Sequence, residues 1–119
     1  MDRKRQIETA RRVVVKVGSN VLTAAAGLDL KAVRRIAGQV CGLIDGGREV
    51  ILVSSGAMAS GMKKIGLDRR PDELPQRQAA AAVGQAGLIM EYEKAFERHG
   101  CKVAQILLTS EDLSSRKRY

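Results

Sequence analysis

Apolar side chains recur along the chain with two different periods. Short runs of β-branched and aliphatic residues at 13–17 and 50–53 are typical of buried strands. Between them the apolar positions change to helical spacing. Asp29 is a suitable N-cap for this helix, and Gly46 with its neighbouring glycine is a suitable stop. The first half of the chain therefore predicts a strand, a helix and a second strand.

The second half continues the alternation. A short helix is predicted from about 58 to 66, and a long alanine-rich helix over 76–98. Residues 102–108 form a third apolar run and predict a third strand. Thr109 and Asp112 then have the spacing of a capping box, which predicts the start of another helix.

Strands that alternate with helices predict an α/β fold. Right-handed crossovers would give a mainly parallel sheet covered by helices on both faces, which is a three-layer αβα sandwich. Three strands make a thin sheet, so we expect a truncated domain. Residues 1–12 are predicted to be a basic N-terminal extension, and residues 13–119 to be the incomplete domain.

The chain has a formal net charge of +8, which raises the question of a nucleic-acid partner. Residues 1–12 hold five cations against two acids, a net +3, and residues 116–118 add +3, which leaves +2 for the remainder. Aromatic residues make up 3% of the chain, so stacking platforms for bases are scarce. A basic nucleic-acid-binding module is therefore the weaker alternative, and we expect no nucleic-acid partner.

The two cysteines, Cys41 and Cys101, have no Cys or His neighbours at metal-ligand spacing. We expect buried free thiols in a reducing compartment, and no metal ligands from the chain. The basic start lacks the apolar stretch of a signal peptide, and no run reaches membrane-spanning length. The sequence thus predicts a cytoplasmic protein without a membrane partner.

Candidate chemistry lies just after the strands, because ligands of open α/β sheets bind at the carboxyl ends of the strands. Lys16 lies inside the first apolar run and is costly to bury unless its ammonium reaches an anion. Gly18 lets a ligand approach the backbone, and Ser19 offers a hydroxyl and an amide. A phosphate would satisfy all three residues. The alternative is a lysine that extends from an edge strand into solvent.

The second strand leads directly into a helix through Ser55, Gly56 and Ala57. Amides at a helix N-terminus lack partners, and the helix dipole favours an anion there. These residues therefore form a candidate anion site. The alternative is that Ser55 only caps the helix.

Several common sites are missing from the sequence. It contains neither a Gly-x-Gly-x-x-Gly motif after the first strand nor a Walker-type loop. The single histidine, His99, lies beside a helix-stopping glycine and has no nucleophile partner. Phosphoryl transfer needs positioning and charge neutralisation more than covalent chemistry, so a lysine and two amide-rich turns could suffice with Mg²⁺.

Four segments resemble one family in order and spacing. They are Val14-Val15-Lys16-Val17-Gly18-Ser19-Asn20-Val21-Leu22-Thr23, Val53-Ser54-Ser55-Gly56-Ala57 with Gly61, Ala81-Ala82-Val83-Gly84-Gln85, and Gln105-Ile106-Leu107-Leu108-Thr109. Together they resemble the glutamate 5-kinases of the amino acid kinase superfamily. The Ser-Ser-Gly-Ala turn resembles the glutamate-specific form of a turn that is glycine-rich in several relatives.

The resemblance implies an activity and its participants. It implies transfer of the terminal phosphoryl group of ATP, with Mg²⁺, to the side-chain carboxylate of L-glutamate. The product would be L-glutamyl 5-phosphate, in the first step of proline biosynthesis. It also implies feedback inhibition by proline and a homo-oligomer in the full-length protein. The further substrate contacts, the nucleotide-base pocket and a second lysine would follow Tyr119, so we expect the isolated chain to be inactive.

The resemblance also implies roles for single residues. Lys16 would be the catalytic cation and would bind the ATP phosphates with Gly18 and Ser19. Glutamate would be bound by Ser55, Gly56 and Ala57. Another member of the superfamily, with a different acid or phosphate acceptor, is the alternative within the same class.

Overall fold

The computed structural model describes residues 2–24 and 27–118. The described elements follow one another as α1 (Arg3–Thr9), β1 (Arg12–Val17), α2 (Ser19–Leu22), β2 (Thr23–Ala24), β3 (Gly27–Leu28), α3 (Leu30–Asp45), β4 (Glu49–Ser54), α4 (Ala57–Lys64), α5 (Leu74–Glu97), α6 (Ser110–Ser114) and a 3₁₀ helix (Arg116–Arg118). The chain is therefore a mixed α/β structure.

β1 and β4 form a parallel pair. The register runs from Arg12 opposite Glu49 to Val17 opposite Ser54. The long connection between the two strands contains α3, as a parallel crossover requires. β2 and β3 form a separate small antiparallel pair. Both strands predicted from the first half of the sequence are confirmed.

α3 begins and ends where its sequence predicts. The side chain of Asp29 accepts hydrogen bonds from the backbone N–H groups of Lys31 and Ala32, at 3.1 and 3.3 Å. These bonds satisfy two of the donors that the first turn leaves unpaired. At the other end Gly46 is the C-cap residue.

α4 and α5 pack with their backbones in direct contact. A Cβ atom added at Gly61 would overlap the carbonyl group of Ala80, and one added at Gly84 would overlap the carbonyl oxygen of Ala57. Only glycine permits this separation. The glycines that interrupt the alanine-rich helix therefore let a second helix lie against it, and that helix is α4.

The core lies on one face of the parallel pair. Inward-facing residues of β1 and β4 pack against the apolar faces of α3 and α5, and the buried members of this core are Val17, Leu22, Val33, Ile36, Ala37, Val40, Cys41, Leu88, Tyr92, Ala95 and Phe96. Helices on a face of a parallel sheet are expected, because the crossover between two parallel strands is usually a helix.

The opposite face of the sheet is exposed in the part of the chain that the structure describes. Val14, Ile51 and Val53 are 62%, 51% and 47% exposed, although all three are apolar. Burial therefore alternates along both strands, whereas the sequence predicted fully buried strands. The described residues form a helical layer and a sheet layer.

The predicted third strand is wrong for this chain. Residues 102–108 have no regular secondary structure. Ile106, Leu107 and Leu108 are 79%, 70% and 63% exposed. A strand needs a partner that accepts and donates its backbone hydrogen bonds, and within the described residues the parallel sheet contains only β1 and β4. The apolar composition was correct for a strand, but composition does not supply that partner.

The two ends of the chain contain short helices. α1 lies within the predicted basic extension and buries none of its residues. α6 begins with the predicted capping box, in which Thr109 and Asp112 each accept a hydrogen bond from the other's backbone N–H. None of the helices over residues 2–24 and 27–118 is long and apolar enough to span a membrane.

Candidate functional site

The carboxyl ends of β1 and β4 lie side by side. Val17 and Ser54 are opposite each other in the register, and the N–H of Ser55 donates a hydrogen bond of 3.0 Å to the carbonyl of Val17. This bond continues the ladder one residue beyond β4. The two segments that the sequence selected, 16–19 and 55–57, therefore begin at the same edge of the sheet.

Lys16 lies on the exposed face of β1. It is opposite Val53 in the register, and both residues are exposed, whereas the adjacent Val17 is buried. Ser55 is also exposed and follows Val53 by two residues, the period at which strand side chains return to one face. Lys16 and Ser55 thus belong to the same side of the sheet.

Gly18 and Ser19 lead from β1 into α2. Gly18 is the N-cap residue with φ −81° and ψ 165°, which any residue can adopt, and a Cβ atom added there would meet nothing within 4 Å. The space over Gly18 is therefore open to a ligand. The carbonyl of Ser19 accepts a hydrogen bond of 2.7 Å from the Thr23 hydroxyl, which ties α2 to β2.

Gly56 and Ala57 form the turn into α4. Gly56 has φ +111°, where residues with a side chain are strained, and it is the N-cap residue of α4. No side-chain cap is formed at this position. The alternative in which Ser55 caps the helix is therefore wrong. Within the described residues, no hydrogen bond of the Ser55 hydroxyl is found, so this group remains available to a ligand.

Ser54 and Tyr92 were missed by the sequence reasoning. Ser54 Oγ lies 2.7 Å from Tyr92 Oη and donates a 2.8 Å hydrogen bond to the carbonyl of Ser55. Burial raises the pKa of Tyr92, and the hydrogen bond to Ser54 acts in the opposite direction. Tyr92 is one of the buried residues of α5, but nothing in the sequence indicates which strand residue its hydroxyl contacts.

The candidate site is an open edge of the sheet. Two cavities lie elsewhere. One of about 50 Å³ is between α3 and α5, and one of about 350 Å³ is beside the amino ends of β1 and β4, lined by Arg11, Arg12, Gly47 and Glu49. Over the described ranges, no group of three or more His, Cys, Asp or Glu side chains has metal-binding geometry.

Comparison with known proteins identifies the family. Residues 11–119 match the profile described as the amino acid kinase family. The chain belongs to the amino acid kinase family. The match spans both strand ends and the turn into α4, so the family similarity includes every residue of the candidate site.

Individual family members are similar over nearly the whole chain. A glutamate 5-kinase of Thermus thermophilus is 57% identical over 111 residues, which cover 93% of this chain and 30% of the relative. One from Azoarcus sp. is 56% identical over 115 residues, covering 96% and 31%. One from Acinetobacter baylyi is 48% identical over 120 residues, covering 100% and 32%. The chain thus spans about a third of the length of the curated relatives that it matches.

Proposed function

We propose that this chain is the amino-terminal part of a glutamate 5-kinase, which transfers the terminal phosphoryl group of ATP to the side-chain carboxylate of L-glutamate. The observation that supports this most is the hydrogen bond from Ser55 to Val17, because it joins the two candidate anion sites at one sheet edge. Relatives that are named glutamate 5-kinases, at 48–57% identity, support the same substrate.

The ATP phosphates are assigned to the β1 end of the site. The exposed Lys16 supplies the positive charge that stabilises the transferring group, and the open backbone at Gly18 and Ser19 receives the phosphate oxygens. A preorganised cation stabilises the charge that develops in the transition state more strongly in a water-poor site than in bulk water. Lys16 is therefore the proposed catalytic residue.

Glutamate is assigned to the turn after β4. The hydroxyl of Ser55 and the amides of Gly56 and Ala57 are donors that could bind an anion at the start of α4. The substrate carboxylate and the triphosphate repel each other, so their reaction requires donors directed at both. Because the carboxyl ends of β1 and β4 are adjacent, the donors assigned to ATP lie beside the donors assigned to glutamate.

Mg²⁺ is proposed only as the ion that accompanies ATP. The described residues contain no cluster of ligating side chains, and Mg²⁺ commonly keeps water and phosphate oxygens as ligands. The proposal assigns no residue of this chain to the ion, and none of the roles given to Lys16, Gly18 or Ser55 depends on it.

Further features belong to the complete protein. We propose that its added structure covers the exposed face of β1 and β4, which would complete a three-layer αβα sandwich, and that the protein forms a homo-oligomer inhibited by proline. Residues 1–12 are a basic extension in this proposal, and the chain by itself does not complete the reaction.

One assay tests both whether the protein is active and which acceptor it phosphorylates. The complete protein that contains residues 1–119 is incubated with ATP, Mg²⁺, hydroxylamine and one acceptor at a time, so that an acyl phosphate is trapped as a hydroxamate. Glutamate is expected to give hydroxamate, whereas acetylglutamate and carbamate give none above background. If another acceptor gave product at a higher rate, the protein would have a different activity of the same family.

A further inference from the structure

The hydroxyl of Tyr92 is a polar group on a side chain that otherwise lies in the apolar core. Tyr92 is 4% exposed, and its ring packs against Phe96 with a centroid distance of 6.2 Å. Its hydroxyl lies 2.7 Å from the hydroxyl of Ser54, the last residue of β4. A buried hydroxyl requires a hydrogen-bond partner. The partner of Tyr92 is Ser54, which lies at the edge of the candidate site.

The direction of this hydrogen bond follows from counting protons. A serine hydroxyl has one proton, and that of Ser54 is donated to the carbonyl of Ser55. Tyr92 must therefore donate to Ser54. Burial raises the pKa of Tyr92, so the phenol keeps this proton throughout the neutral range.

We infer that Tyr92 is a positioning residue for the turn at residues 55–57, the proposed glutamate site. It acts through Ser54, which fixes the carbonyl of Ser55 and thereby the direction in which the Ser55 hydroxyl and the following amides point. The inference rests on the proposed function for the identity of the ligand, but the relay from α5 to the turn is independent of that identity. Tyr92 does not contact the substrate in this account.

Two single variants and their combination test the relay. Tyr92→Phe removes only the hydroxyl and keeps the ring, and Ser54→Ala removes the intermediate group. In the complete protein, each is expected to raise the KM for glutamate about three- to tenfold, the effect of one hydrogen bond. The double variant should be no worse than either single variant, because both remove the same chain of bonds.

The KM for ATP serves as the internal control, since segment 16–19 is not part of the relay. It should change by less than about twofold, and the melting temperature of Tyr92→Phe should stay close to the wild-type value. Equal changes in both KM values, or fully additive effects, would contradict a positioning role.

Amide hydrogen exchange separates this inference from the proposed function. In Tyr92→Phe, exchange of the Ser55 amide, which is hydrogen-bonded to the Val17 carbonyl, should accelerate, whereas exchange of the Val21 amide, which is hydrogen-bonded to the Gly18 carbonyl, should not. If the wild-type protein does not use glutamate, the proposed function fails, and the exchange rates still decide whether Tyr92 holds the turn. Unchanged exchange of the Ser55 amide would overturn the inference.

A second and independent observation concerns the cysteines. Cys41 in α3 and Cys101 after α5 are distant in sequence, yet their Sγ atoms are 3.0 Å apart. Both are free thiols. Cys41 is buried, and Cys101 is partly exposed. A disulfide requires the sulfurs to approach by a further 1 Å, roughly. The expected burial holds for Cys41 but not for Cys101, and the sequence did not indicate that the two residues are neighbours.

The geometry points to Cys41 and Cys101 as a site of intramolecular disulfide formation by a peroxide. Cys101, the accessible thiol, attacks one peroxide oxygen as its thiolate. The O–O bond breaks, and hydroxide leaves and takes up a proton. The resulting sulfenic acid on Cys101 is attacked by the sulfur of Cys41, whose proton passes to the departing hydroxide. Two thiols and one hydrogen peroxide thus become one disulfide and two waters.

The position of the pair determines what the bond would do. It would join α3 covalently to the residue that precedes segment 102–108, which has no regular structure in this chain. Burial, with a smaller contribution from the neighbouring Cys101, raises the pKa of Cys41 to about 12, so formation should be slow at neutral pH and faster in alkali.

Intact mass spectrometry of the peroxide-treated chain tests this site. The folded monomer is expected to lose the mass of two hydrogen atoms, to yield a peptide pair linked through residues 41 and 101, and to regain the mass on reduction. Cys41→Ser should instead give a sulfenic acid at Cys101 that dimedone traps, and Cys101→Ser should leave Cys41 unmodified. Two free thiols after treatment, cross-linked dimers, or sulfinic acid at Cys101 in the wild-type chain would each overturn the proposal.

Discussion

At the scale of single residues, two glycines at the sheet edge differ in whether the fold requires glycine at that position. Gly56 needs its missing side chain for the fold, because φ is +111° and an added Cβ would lie 3.2 Å from a methyl group of Leu28. Gly18 does not need it for the fold, because its φ is ordinary and the surrounding space is open. If both glycines belong to the site, only one of them is also structural.

Alanine substitution separates these requirements. Gly56→Ala is expected to lower the free energy of unfolding by about 1–3 kcal/mol, the scale for a strained backbone. Gly18→Ala should leave it unchanged or raise it by about 0.4–1 kcal/mol through the unfolded state. In the complete protein, however, Gly18→Ala should raise the KM for ATP. Denaturant unfolding and steady-state kinetics provide the two measurements, and equal stability losses at both positions would contradict the assignment.

Ionisation of Cys41 is a further property at this scale. Its pKa is raised from 9.0 to about 12 by burial. The folded state thus favours the neutral thiol, and this contribution to stability is fully present below about pH 9 and is lost as the pH rises towards 12. Tyr92, whose pKa is also raised, acts in the same direction.

Alkaline unfolding checks the sign of this effect. With reductant present, the free energy of unfolding of the wild-type chain should fall as the pH rises from about 9, and it should fall less steeply in Cys41→Ala. Only the slopes of the free energy of unfolding against pH are compared. The packing that Cys41→Ala loses does not depend on pH and therefore does not affect the comparison. Identical slopes would show that Cys41 is not shielded from solvent as described.

At the scale of elements, the contact between α4 and α5 orients the turn at residues 55–57. Gly84 of α5 lies against the carbonyl of Ala57, the first residue of α4. The helix that supports the turn is therefore fixed by a residue on its neighbour. Small residues in a long helix allow another backbone to approach closely, but the sequence does not indicate which one, because that depends on tertiary packing.

Gly84→Ala and Gly42→Ala form a matched pair of substitutions inside helices. At Gly84 the added methyl group would overlap backbone atoms, so the free energy of unfolding should fall by about 1–3 kcal/mol or more. At Gly42 in α3 it would meet nothing within 4 Å, so stability should rise by about 0.5–1 kcal/mol. Thermal or denaturant unfolding distinguishes them, and a neutral Gly84→Ala would refute the close helix contact.

The elements also show which features of the fold can be predicted from sequence patterns. Helix α3 could be predicted to within a residue because its cap is local, with Asp29 bonded to the two residues that follow it closely. Segment 102–108 has an equally strong apolar pattern and is not a strand, because pairing depends on a distant part of the chain. Local signals therefore fixed the helix ends, whereas the sheet needed partners that no local signal specifies.

At the scale of the whole molecule, the described chain leaves much apolar surface uncovered. Its Cα radius of gyration is 16.2 Å, whereas a compact domain of this length would have roughly 13–14 Å. Val14 and Ile51 on the open sheet face belong to this surface, as does Ile106. The chain covers about a third of the length of its relatives, so we propose that additional structure buries this surface in the complete protein.

The candidate site shows the same division between local and distant signals. Lys16, Gly18 and Ser55 could be selected from the sequence because strand ends of a parallel sheet share an edge. The role of Tyr92 could not, because its contact with Ser54 joins residues from two elements that are 38 positions apart. The interpretation of Lys16 as a ligand contact stays a prediction.

Replacement of that lysine tests the central claim most directly. In the complete protein, Lys16→Ala is expected to lower turnover in the glutamate hydroxamate assay by at least roughly a hundredfold, the effect of losing one key electrostatic donor. Lys31→Ala, which removes the same charge from the exposed surface of α3, should leave turnover within about twofold of wild type. A loss of less than about threefold for Lys16→Ala would contradict its assignment to the phosphoryl-transfer site.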